Sequence, residues 1–250
     1  MDLHLKGKTA VVSGASQGFG RAITKELALE GVQVFATARN EVLLDSLKAE
    51  VAAAGGVAPI TFSYDFVAPE GPQKIAAAAL AALGHVDILV NNAGRSRALS
   101  VTGPDEEWHA AFVLDFDHHR QLTQQFLPQM IERKEGVILN VGSTYELRTI
   151  NASAVNKAAL AAWSKQLAGE LGRYNIRVNM LQPGLIDTEN TRRIFTPDQR
   201  TDFAAAQIPL GDFGVSQDIA NMAVFLASPR AGYVTGSVAV VDGGLRYHAF

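Results

Sequence analysis

Short apolar runs rich in β-branched residues alternate along the chain with longer stretches whose apolar residues recur at helical spacing. The short runs predict seven strands, at Thr9–Ser13, Val32–Thr37, Ala58–Tyr64, Asp87–Asn91, Gly136–Val141, Ile176–Leu181 and Ser237–Val241. The longer stretches predict helices at Arg21–Glu30, Glu41–Ala54, Pro72–Leu83, Pro104–Glu132, Ala152–Tyr174 and Ser216–Leu226. Because helix-length connections separate the strands, the strands are expected to pair in parallel.

The predicted strands are apolar along their whole length, as in Ala10-Val11-Val12 and Ile88-Leu89-Val90. This is expected when helices cover both faces of a sheet. No linker rich in Pro, Gly or Ser interrupts the alternation, and no internal repeat is visible. We therefore predict an α/β fold, a single Rossmann-like, doubly wound domain over residues 1–250 with a parallel sheet of about seven strands.

Two places depart from this regular pattern. Pro128 lies within the fourth helical stretch and is expected to kink or end the helix near Leu127. The segment Asn190–Gln207 lies between the last two strands, and Thr196-Pro197-Asp198-Gln199 within it has the composition of a helix start. We expect this segment to form a lid over a site at the carboxyl ends of the strands.

Composition narrows the class of protein. Hydrophobic residues make up 48% of the chain and charged residues 19%, which excludes a disordered chain. There is no cysteine, so disulfides, thiolate zinc sites and cysteine nucleophiles are excluded. The net charge of -3 gives no reason to expect nucleic acid as a partner. Met1–Lys8 has no signal-peptide core and no apolar run could span a bilayer, so we expect a cytoplasmic protein without a membrane partner.

The first predicted strand runs directly into a glycine-rich loop, Ser13-Gly14-Ala15-Ser16-Gln17-Gly18-Phe19-Gly20, and then into a helix. Glycines permit a tight turn and the close approach of a pyrophosphate, and a helix N-terminus supplies free N–H groups to phosphates. A glycine-rich turn without a ligand is the alternative, but the strand before and the helix after favour dinucleotide binding. The candidate contacts are Gly14, Ser16, Gln17, Gly18, Phe19 and Gly20.

The glycine spacing, G-x-x-x-G-x-G, resembles that of the short-chain dehydrogenase/reductase family, and other segments agree. Asn91-Asn92-Ala93-Gly94 ends the fourth strand as that family's N-N-A-G motif does, Pro183-Gly184 follows the sixth, and Val241-Asp242-Gly243-Gly244 closes the seventh. The resemblance covers essentially the whole chain and implies a nicotinamide cofactor. It implies further cofactor contacts, namely Asp65 at the adenine, Lys157 at the nicotinamide ribose, and Asn91, Ala93, Gly94, Pro183, Gly184, Ile186 and Thr188.

The end of the second strand, Thr37-Ala38-Arg39-Asn40, bears on the choice of cofactor. A carboxylate here takes the ribose hydroxyls of NAD, whereas an arginine accommodates the 2′-phosphate of NADP. Ala38 fills the acidic position and Arg39 follows it, so NADP(H) is favoured. The alternative is that Arg39 is a solvated residue that caps the next helix.

The predicted active site departs from the family pattern. The family uses Asn, Ser, Tyr and Lys; the Tyr, four residues before the Lys, donates the proton, and the Lys lowers its pKa. Ser143 matches the Ser and Lys157 the Lys. Ser153 stands at the Tyr position, on the same helix face as Lys157, and Asp115 stands at the Asn position. A serine hydroxyl is a much weaker proton donor than a phenol beside an ammonium.

Asp115 is expected to form an ion pair with Lys157 that keeps the lysine charged. If the alignment with the family pattern is shifted, another residue donates the proton. Tyr145, two residues past Ser143, is interpreted either as a substitute proton donor or as an aromatic wall of the pocket. His118 and His119 are adjacent, so at most one can point at the site, and each is interpreted as a helix-surface or interface residue. No His/carboxylate spacing supports a metal site.

Three functions remain open. The favoured one is an NADP(H)-dependent oxidoreductase acting on a small carbonyl or alcohol substrate with a non-standard active site. The second is an NADP(H)-binding sensor or scaffold without redox turnover, and the least favoured is a lyase or dehalogenase-like enzyme. The pocket is expected to be lined by Arg95, Ser96, Thr144, Tyr145, Leu185 and parts of 190–207, and Arg95 and Arg97 either bind an acidic substrate or are solvated.

The resemblance also implies a homo-oligomer, with a tetramer favoured. The helical stretches Pro104–Glu132 and Ala152–Tyr174 carry apolar residues on more than one face, which is typical of helices that also meet a partner subunit.

Overall fold

The computed structural model describes residues 2–143 and 149–246 of the chain. In this part of the chain, seven parallel strands form one sheet in the order β3-β2-β1-β4-β5-β6-β7. The strands are β1 (Thr9–Ser13), β2 (Gln33–Ala38), β3 (Ile60–Ser63), β4 (Ile88–Asn91), β5 (Gly136–Val141), β6 (Ile176–Pro183) and β7 (Val238–Val241). The predicted doubly wound α/β fold is confirmed.

Helices connect successive strands and cover both faces of the sheet. They are α1 (Gly18–Leu29), α2 (Glu41–Ala53), α3 (Gly71–Leu83), α4 (Asp105–Phe112), α5 (His118–Arg133), α6 (Ala152–Leu171), α7 (Glu189–Ile194), α8 (Pro197–Gln207) and α9 (Ser216–Ala227). None of the helices in the described residues is both long and apolar enough to cross a bilayer.

Two apolar cores lie on opposite faces of the sheet. On one face, Ala10 and Val12 of β1 belong to the same buried cluster as Leu27 of α1 and residues of α2 and α9. On the other face, Val11 of β1 belongs to a cluster with Phe126 of α5 and residues of α3 and α6. Successive residues of β1 therefore enter opposite cores, which explains why the whole strand is apolar.

The order of the strands fixes the place of the site. From β1 the sheet is built outward through β2 to β3, and from β4 it is built in the opposite direction to β7. β1 and β4 lie side by side at this reversal. In such sheets a crevice opens beyond the carboxyl ends of the two central strands, and ligands bind there.

The long helix predicted over Pro104–Glu132 consists of three segments. α4 ends at Phe112, Val113–Asp117 forms a π-helical turn, and α5 begins at His118. A π turn takes up more residues than an α turn, and apolar periodicity does not reveal it. Such turns are frequent at functional sites, and this one carries Asp115.

Two expectations about helix ends have different outcomes. The predicted end near Leu127 is wrong, because α5 continues through Pro128 to Arg133. Fully buried Phe126 and Met130 flank this exposed proline, so core packing outweighs the missing backbone hydrogen bond. The helix start at Thr196 is confirmed, since its side chain caps α8 in a reciprocal capping box. The role of the segment Asn190–Gln207 as a lid stays a prediction.

Candidate functional site

Close backbone contacts shape the glycine-rich loop after β1. Gly14 has a φ of 67°, in the left-handed region that favours glycine. A Cβ at Gly20 would overlap the Gly14 carbonyl oxygen and the Asn92 side-chain amide. Glycine is therefore required at these positions for the loop to lie against the segment that follows β4.

The N-terminus of α1 has no side-chain cap. Gln17 is the N-cap residue, and its side chain makes no capping hydrogen bond, whereas Asn40 caps α2 by accepting from the Leu43 N–H at 3.0 Å. The first-turn N–H groups of α1 are thus left for another partner, and Gly18 and Phe19 are only partly buried. A glycine-lined, uncapped helix N-terminus suits a phosphate.

Arg21 ties the same loop to α2. Its guanidinium donates to the Ser16 carbonyl at 3.3 Å and to the Glu50 carboxylate at 2.7 and 3.0 Å. Hydrogen bonds from Lys25 and Arg21 lower the pKa of Glu50, which keeps this carboxylate charged. The loop is therefore held on the side of α2 as well as on the side of β4.

The loops after β1 and β4 are bonded to each other. The Ser13 hydroxyl accepts from the backbone N–H groups of Asn92 at 3.0 Å and Ala93 at 3.1 Å. The Asn92 side-chain amide donates to the carbonyls of Ser13 at 3.0 Å and Gly14 at 3.2 Å. Asn92 thus fixes the relative position of two loops that are both predicted to hold the cofactor.

Asn91, a predicted cofactor contact, has its side chain inside the protein. The side-chain amide is fully buried and donates to Thr123 Oγ1 at 2.9 Å and Asn140 Oδ1 at 2.8 Å. Asn140 in turn donates to Ser164 Oγ of α6 at 2.7 Å. Any contact between Asn91 and a cofactor must therefore come from its backbone.

The predicted adenosine side of the site lies at the ends of β2 and β3. Arg39 is exposed just beyond β2, and the cap of the next helix is Asn40, so Arg39 does not fill the capping role considered for it. Asp65 is half-buried, and its carboxylate accepts from the Val67 N–H at 3.1 Å.

The predicted nicotinamide side lies after β6. A Cβ at Gly184 would overlap Asp242, which follows β7, so glycine is needed there. Ile186 is buried and pairs with Gly214 in an isolated bridge. The half-buried Thr188 caps α7, with its N–H donating to Thr191 Oγ1 at 2.8 Å.

Lys157 of α6 and Asp115 of the π turn come together below the segment after β4. Lys157 Nζ lies 3.9 Å from Asp115 Oδ1, and the two side chains are 7% and 1% exposed. Within residues 2–143 and 149–246, neither Nζ nor either carboxylate oxygen has a hydrogen-bond partner. A Cβ at Gly94 would lie 3.0 Å from the Asp115 oxygen and 3.4 Å from Nζ, so the pair lies directly under this exposed glycine.

Burial opposes both charges of this pair. It raises the pKa of Asp115 above its usual value, and the nearby Lys157 ammonium lowers it by less. It also lowers the pKa of Lys157, and the Asp115 carboxylate only partly reverses this shift. The Asp115 carboxylate therefore favours the charged form of Lys157, as predicted. Burial opposes that form more strongly, so the pKa of Lys157 is lowered overall.

Ser153, one helical turn before Lys157, is hydrogen-bonded to the same loop after β4. Its hydroxyl donates to the Arg95 carbonyl at 2.5 Å. Two further bonds join the same segments, from the Ala152 N–H to the Arg97 carbonyl at 3.0 Å and from the Leu99 N–H to the Ile150 carbonyl at 3.0 Å. The hydroxyl at the predicted proton-donor position thus helps to hold residues 95–99 across the start of α6.

The remaining predicted catalytic residues are Ser143 and Tyr145. Ser143 is half-buried just beyond the end of β5, at the carboxyl edge of the sheet. Tyr145 and the predicted pocket residue Thr144 lie outside the described residues.

His119 points inward, which corrects its interpretation as a helix-surface or interface residue. His119 is fully buried, and its Nε2 lies 2.7 Å from the Ala93 carbonyl oxygen. His118 is half-buried, and its Nδ1 lies 2.6 Å from the Phe66 carbonyl oxygen. The prediction rested on the adjacency of the two residues in one long helix, and it did not include the π turn just before His118, which changes the side chains that face the core.

The two arginines after β4 differ. Arg95 is exposed, whereas Arg97 is largely buried and forms an ion pair with Glu107 of α4. Arg97 therefore has a structural partner and is less available to a substrate than Arg95.

Comparisons with known proteins place this chain in a family. The family described as Enoyl-(Acyl carrier protein) reductase matches residues 14–246. The 3-oxoacyl-(acyl-carrier-protein) reductase FabG of Thermotoga maritima is 35% identical over 248 residues, covering 97% of this chain and 99% of that protein. The chain belongs to the short-chain dehydrogenase/reductase family. The predicted class, an oxidoreductase of this family's type acting on a carbonyl or alcohol, is thereby confirmed.

Other members of the short-chain dehydrogenase/reductase family share the fold over nearly the whole chain. The 2-dehydro-3-deoxy-D-gluconate 5-dehydrogenase of Bacillus subtilis is 34% identical, covering 96% of this chain and 95% of that protein. The structure of L-sorbose reductase from Gluconobacter frateurii with NADPH and L-sorbose has a TM-score of 0.93 and 32% identity, covering 99% of this chain and 100% of that one. That of 7α-hydroxysteroid dehydrogenase with NADH has a TM-score of 0.92 and 33% identity, covering 97% and 96%.

Proposed function

We propose that this short-chain dehydrogenase/reductase binds NADP(H) and reduces a small carbonyl compound, or oxidises the corresponding alcohol, with a non-standard proton-transfer site. The observation that carries the proposal is the buried Lys157 Nζ, which has no hydrogen-bond partner in the described part of the chain and lies under exposed Gly94. The uncapped N-terminus of α1 and the Gly14–Gly20 loop fit the phosphates of a dinucleotide. A bound NADPH would supply the hydride.

Preference for the phosphorylated cofactor rests on the end of β2. Ala38 leaves no carboxylate to repel a 2′-phosphate, and Arg39 is exposed next to it. The names of the similar structures do not decide the question, since the sorbose reductase holds NADPH and the hydroxysteroid dehydrogenase holds NADH. The choice is therefore made from the residues of this chain.

Arg39→Ala should weaken NADPH binding by roughly ten- to a hundredfold, because a charge-assisted contact to the 2′-phosphate is lost. NADH binding should change little in the same variant. Calorimetric titration of both cofactors measures these affinities. Arg173→Ala is the matched control, because Arg173 is exposed between α6 and the start of β6, whereas the predicted cofactor contacts lie at the carboxyl ends of the strands. Equal wild-type affinities for NADPH and NADH would contradict the proposal.

The proposed catalytic residues are Ser143, Lys157, Asp115 and Ser153, with Tyr145 as the candidate substitute donor. Ser143 would hold the substrate oxygen by a hydrogen bond, and Lys157 would bind the nicotinamide ribose. Asp115 would hold the Lys157 ammonium in place, because its carboxylate lies 3.9 Å from Nζ. Ser153 would act through its bond to Arg95, by holding residues 95–99 over the pair.

A second candidate function is NADP(H) binding without redox turnover. It is favoured by Ser153, because an aliphatic hydroxyl stands where the family has a phenol and its proton is donated to the Arg95 carbonyl at 2.5 Å. Consumption of NADPH with small ketones and diketones separates the two functions, since a sensor or scaffold binds the cofactor and shows no turnover.

A homo-oligomer, with a tetramer favoured, is part of the same proposal. Phe112 of α4 is 41% exposed and contacts the ring of Phe116, which in turn contacts Trp163 of α6, and Val155 of α6 is 56% exposed. Apolar side chains on neighbouring helices in this number are typical of a subunit interface. Sedimentation at micromolar concentration should show a tetramer, and Phe112→Glu should shift it towards smaller species. A stable wild-type monomer would contradict this prediction.

A further inference from the structure

Two adjacent histidines at the start of α5 each reach a different loop of the cofactor crevice. His118 Nδ1 lies 2.6 Å from the Phe66 carbonyl, in the loop after β3 that carries Asp65. His119 Nε2 lies 2.7 Å from the Ala93 carbonyl, in the loop after β4. Since a carbonyl oxygen can only accept a hydrogen bond, His118 Nδ1 and His119 Nε2 are the donors. One short piece of helix thus bonds to the backbone of two separate loops.

The protonation state of His119 is set by its surroundings. Burial, and to a lesser degree the Lys157 ammonium, hold the pKa of His119 well below its usual range. The neutral ring carries one proton, and the Ala93 carbonyl requires it on Nε2. Among the described residues, Nδ1 of the same ring has no partner. The bond to Ala93 is therefore the one hydrogen bond of this ring in the described structure.

The Phe66 ring joins the two histidines into one unit. Its centroid is 5.7 Å from the ring of His118, edge to face, and 5.1 Å from that of His119. Aromatic contacts of this kind fix ring orientation as well as adding stability. The β3 loop is thus held to α5 by its Phe66 side chain and by the carbonyl of the same residue.

The Ala93 carbonyl and N–H have partners on two different elements of the fold. The Ala93 N–H donates to Ser13 of β1, and its carbonyl accepts from His119 of α5. The positions of the loops after β1, β3 and β4 are therefore coupled. All three carry residues predicted to contact the dinucleotide, so their spacing must match the length of the ligand.

We propose that His118 and His119 are a pair of positioning residues that set the distance between the β3 and β4 loops and thereby the affinity for the dinucleotide. This rests on the proposed binding of NADP(H). The pair does not touch the reacting atoms. It acts through the Phe66 and Ala93 backbones, so it should affect cofactor binding more than chemistry once cofactor is bound.

The experiment compares donor-removing and donor-keeping substitutions at each position. His119→Leu and His118→Leu remove the donors, whereas His119→Gln and His118→Asn keep an amide N–H near the position of the original nitrogen. Gln129→Leu is the matched control. Gln129 lies in the same helix and donates to the Val86 carbonyl at 2.9 Å, but Val86 precedes β4, whereas the cofactor loops follow the carboxyl ends of the strands. Each leucine variant should weaken NADPH binding by roughly three- to tenfold, as expected for one hydrogen bond.

Amide hydrogen exchange in the protein without cofactor provides an independent readout. Exchange should rise at residues 65–67 in His118→Leu and at residues 92–94 in His119→Leu, with the amide variants close to wild type. Gln129→Leu should change neither loop nor the NADPH affinity, even where it lowers stability equally. Unchanged loops and affinity in both leucine variants would overturn the inference, as would an equal loss of affinity in Gln129→Leu. If the wild-type protein binds no NADPH, the proposed function fails, while the exchange data still decide whether the pair positions the loops.

Discussion

Ser153→Tyr is expected to raise NADPH-dependent reduction of small ketones and diketones by about 10²–10⁴-fold, the usual contribution of a general acid. The substitution places a phenol one helical turn before Lys157, on the same face of α6. A phenol near an ammonium has a lowered pKa and donates a proton far more readily than an aliphatic hydroxyl. The increase should appear in kcat, since the proton is transferred only in the reaction.

The structure adds a condition to this expectation. Ser153 is buried and its hydroxyl is bonded to the Arg95 carbonyl, so a tyrosine ring must displace part of residues 95–99. Ser153→Phe tests for this displacement, because it introduces the ring without the hydroxyl. A rise in rate with Ser153→Tyr but not with Ser153→Phe assigns the gain to the proton donor rather than to a more open pocket.

Tyr145→Phe, made in the wild-type background, tests the substitute donor. Loss of the residual activity would assign the donor role to Tyr145, whereas unchanged activity would leave it as a wall of the pocket at most. If Ser153→Tyr binds NADPH and remains inactive, the pocket differs from the family's by more than one residue. A binding protein without redox turnover would then be the better description.

The fold was predictable because each strand is apolar throughout and each crossover is helix-length. In β1 the prediction and the structure agree at both ends, since Thr9–Ser13 is bounded by Lys8 and by Gly14. The reversal between β1 and β4 then follows from the topology, and with it the place of the crevice. The local pattern of apolar and polar residues is therefore sufficient to predict the parallel sheet and the helices that cover it.

The site was less predictable, because its decisive contacts join segments far apart in the chain. Nothing in the sequence around Ser153 indicates that its hydroxyl bonds to Arg95, which lies 58 residues earlier. The inward direction of His119 depends on the π turn, and apolar periodicity cannot locate such a turn. Asn92 could have been noticed, since it belongs to the N-N-A-G motif, but its bonds to Ser13 and Gly14 appear only in the folded chain.

The buried pair of Asp115 and Lys157 is expected to control stability as well as chemistry. Burial raises the pKa of Asp115 and lowers that of Lys157, so the attraction between the two groups does not repay the removal of both from water. A pair that adds little stability yet lies under the predicted cofactor loop is more readily explained by function.

Lys157→Met should destabilise the protein by about 3–5 kcal/mol at neutral pH, because it leaves a buried carboxyl group without its cation. The pKa of Asp115 is already raised, and loss of the ammonium should raise it further. The pKa of Asp115 is then higher in the folded variant than in the unfolded chain. The proton on Asp115 therefore contributes stability that is fully present below the unfolded pKa and is lost as pH rises through the folded pKa. The destabilisation should therefore grow as pH increases.

The expected size follows from the cost of keeping Asp115 protonated in the folded state. With an unfolded pKa of about 3.9, that cost is about 4 kcal/mol at pH 7 and about 1.5 kcal/mol at pH 5. The double variant Lys157→Met/Asp115→Asn has no carboxyl at this position and should lose this pH dependence. Urea unfolding of the single and double variants at both pH values measures the difference between them. If Lys157→Met is no less stable than the double variant at pH 7, Asp115 does not depend on Lys157 for its charge, and the proposed pairing of the two residues fails with it.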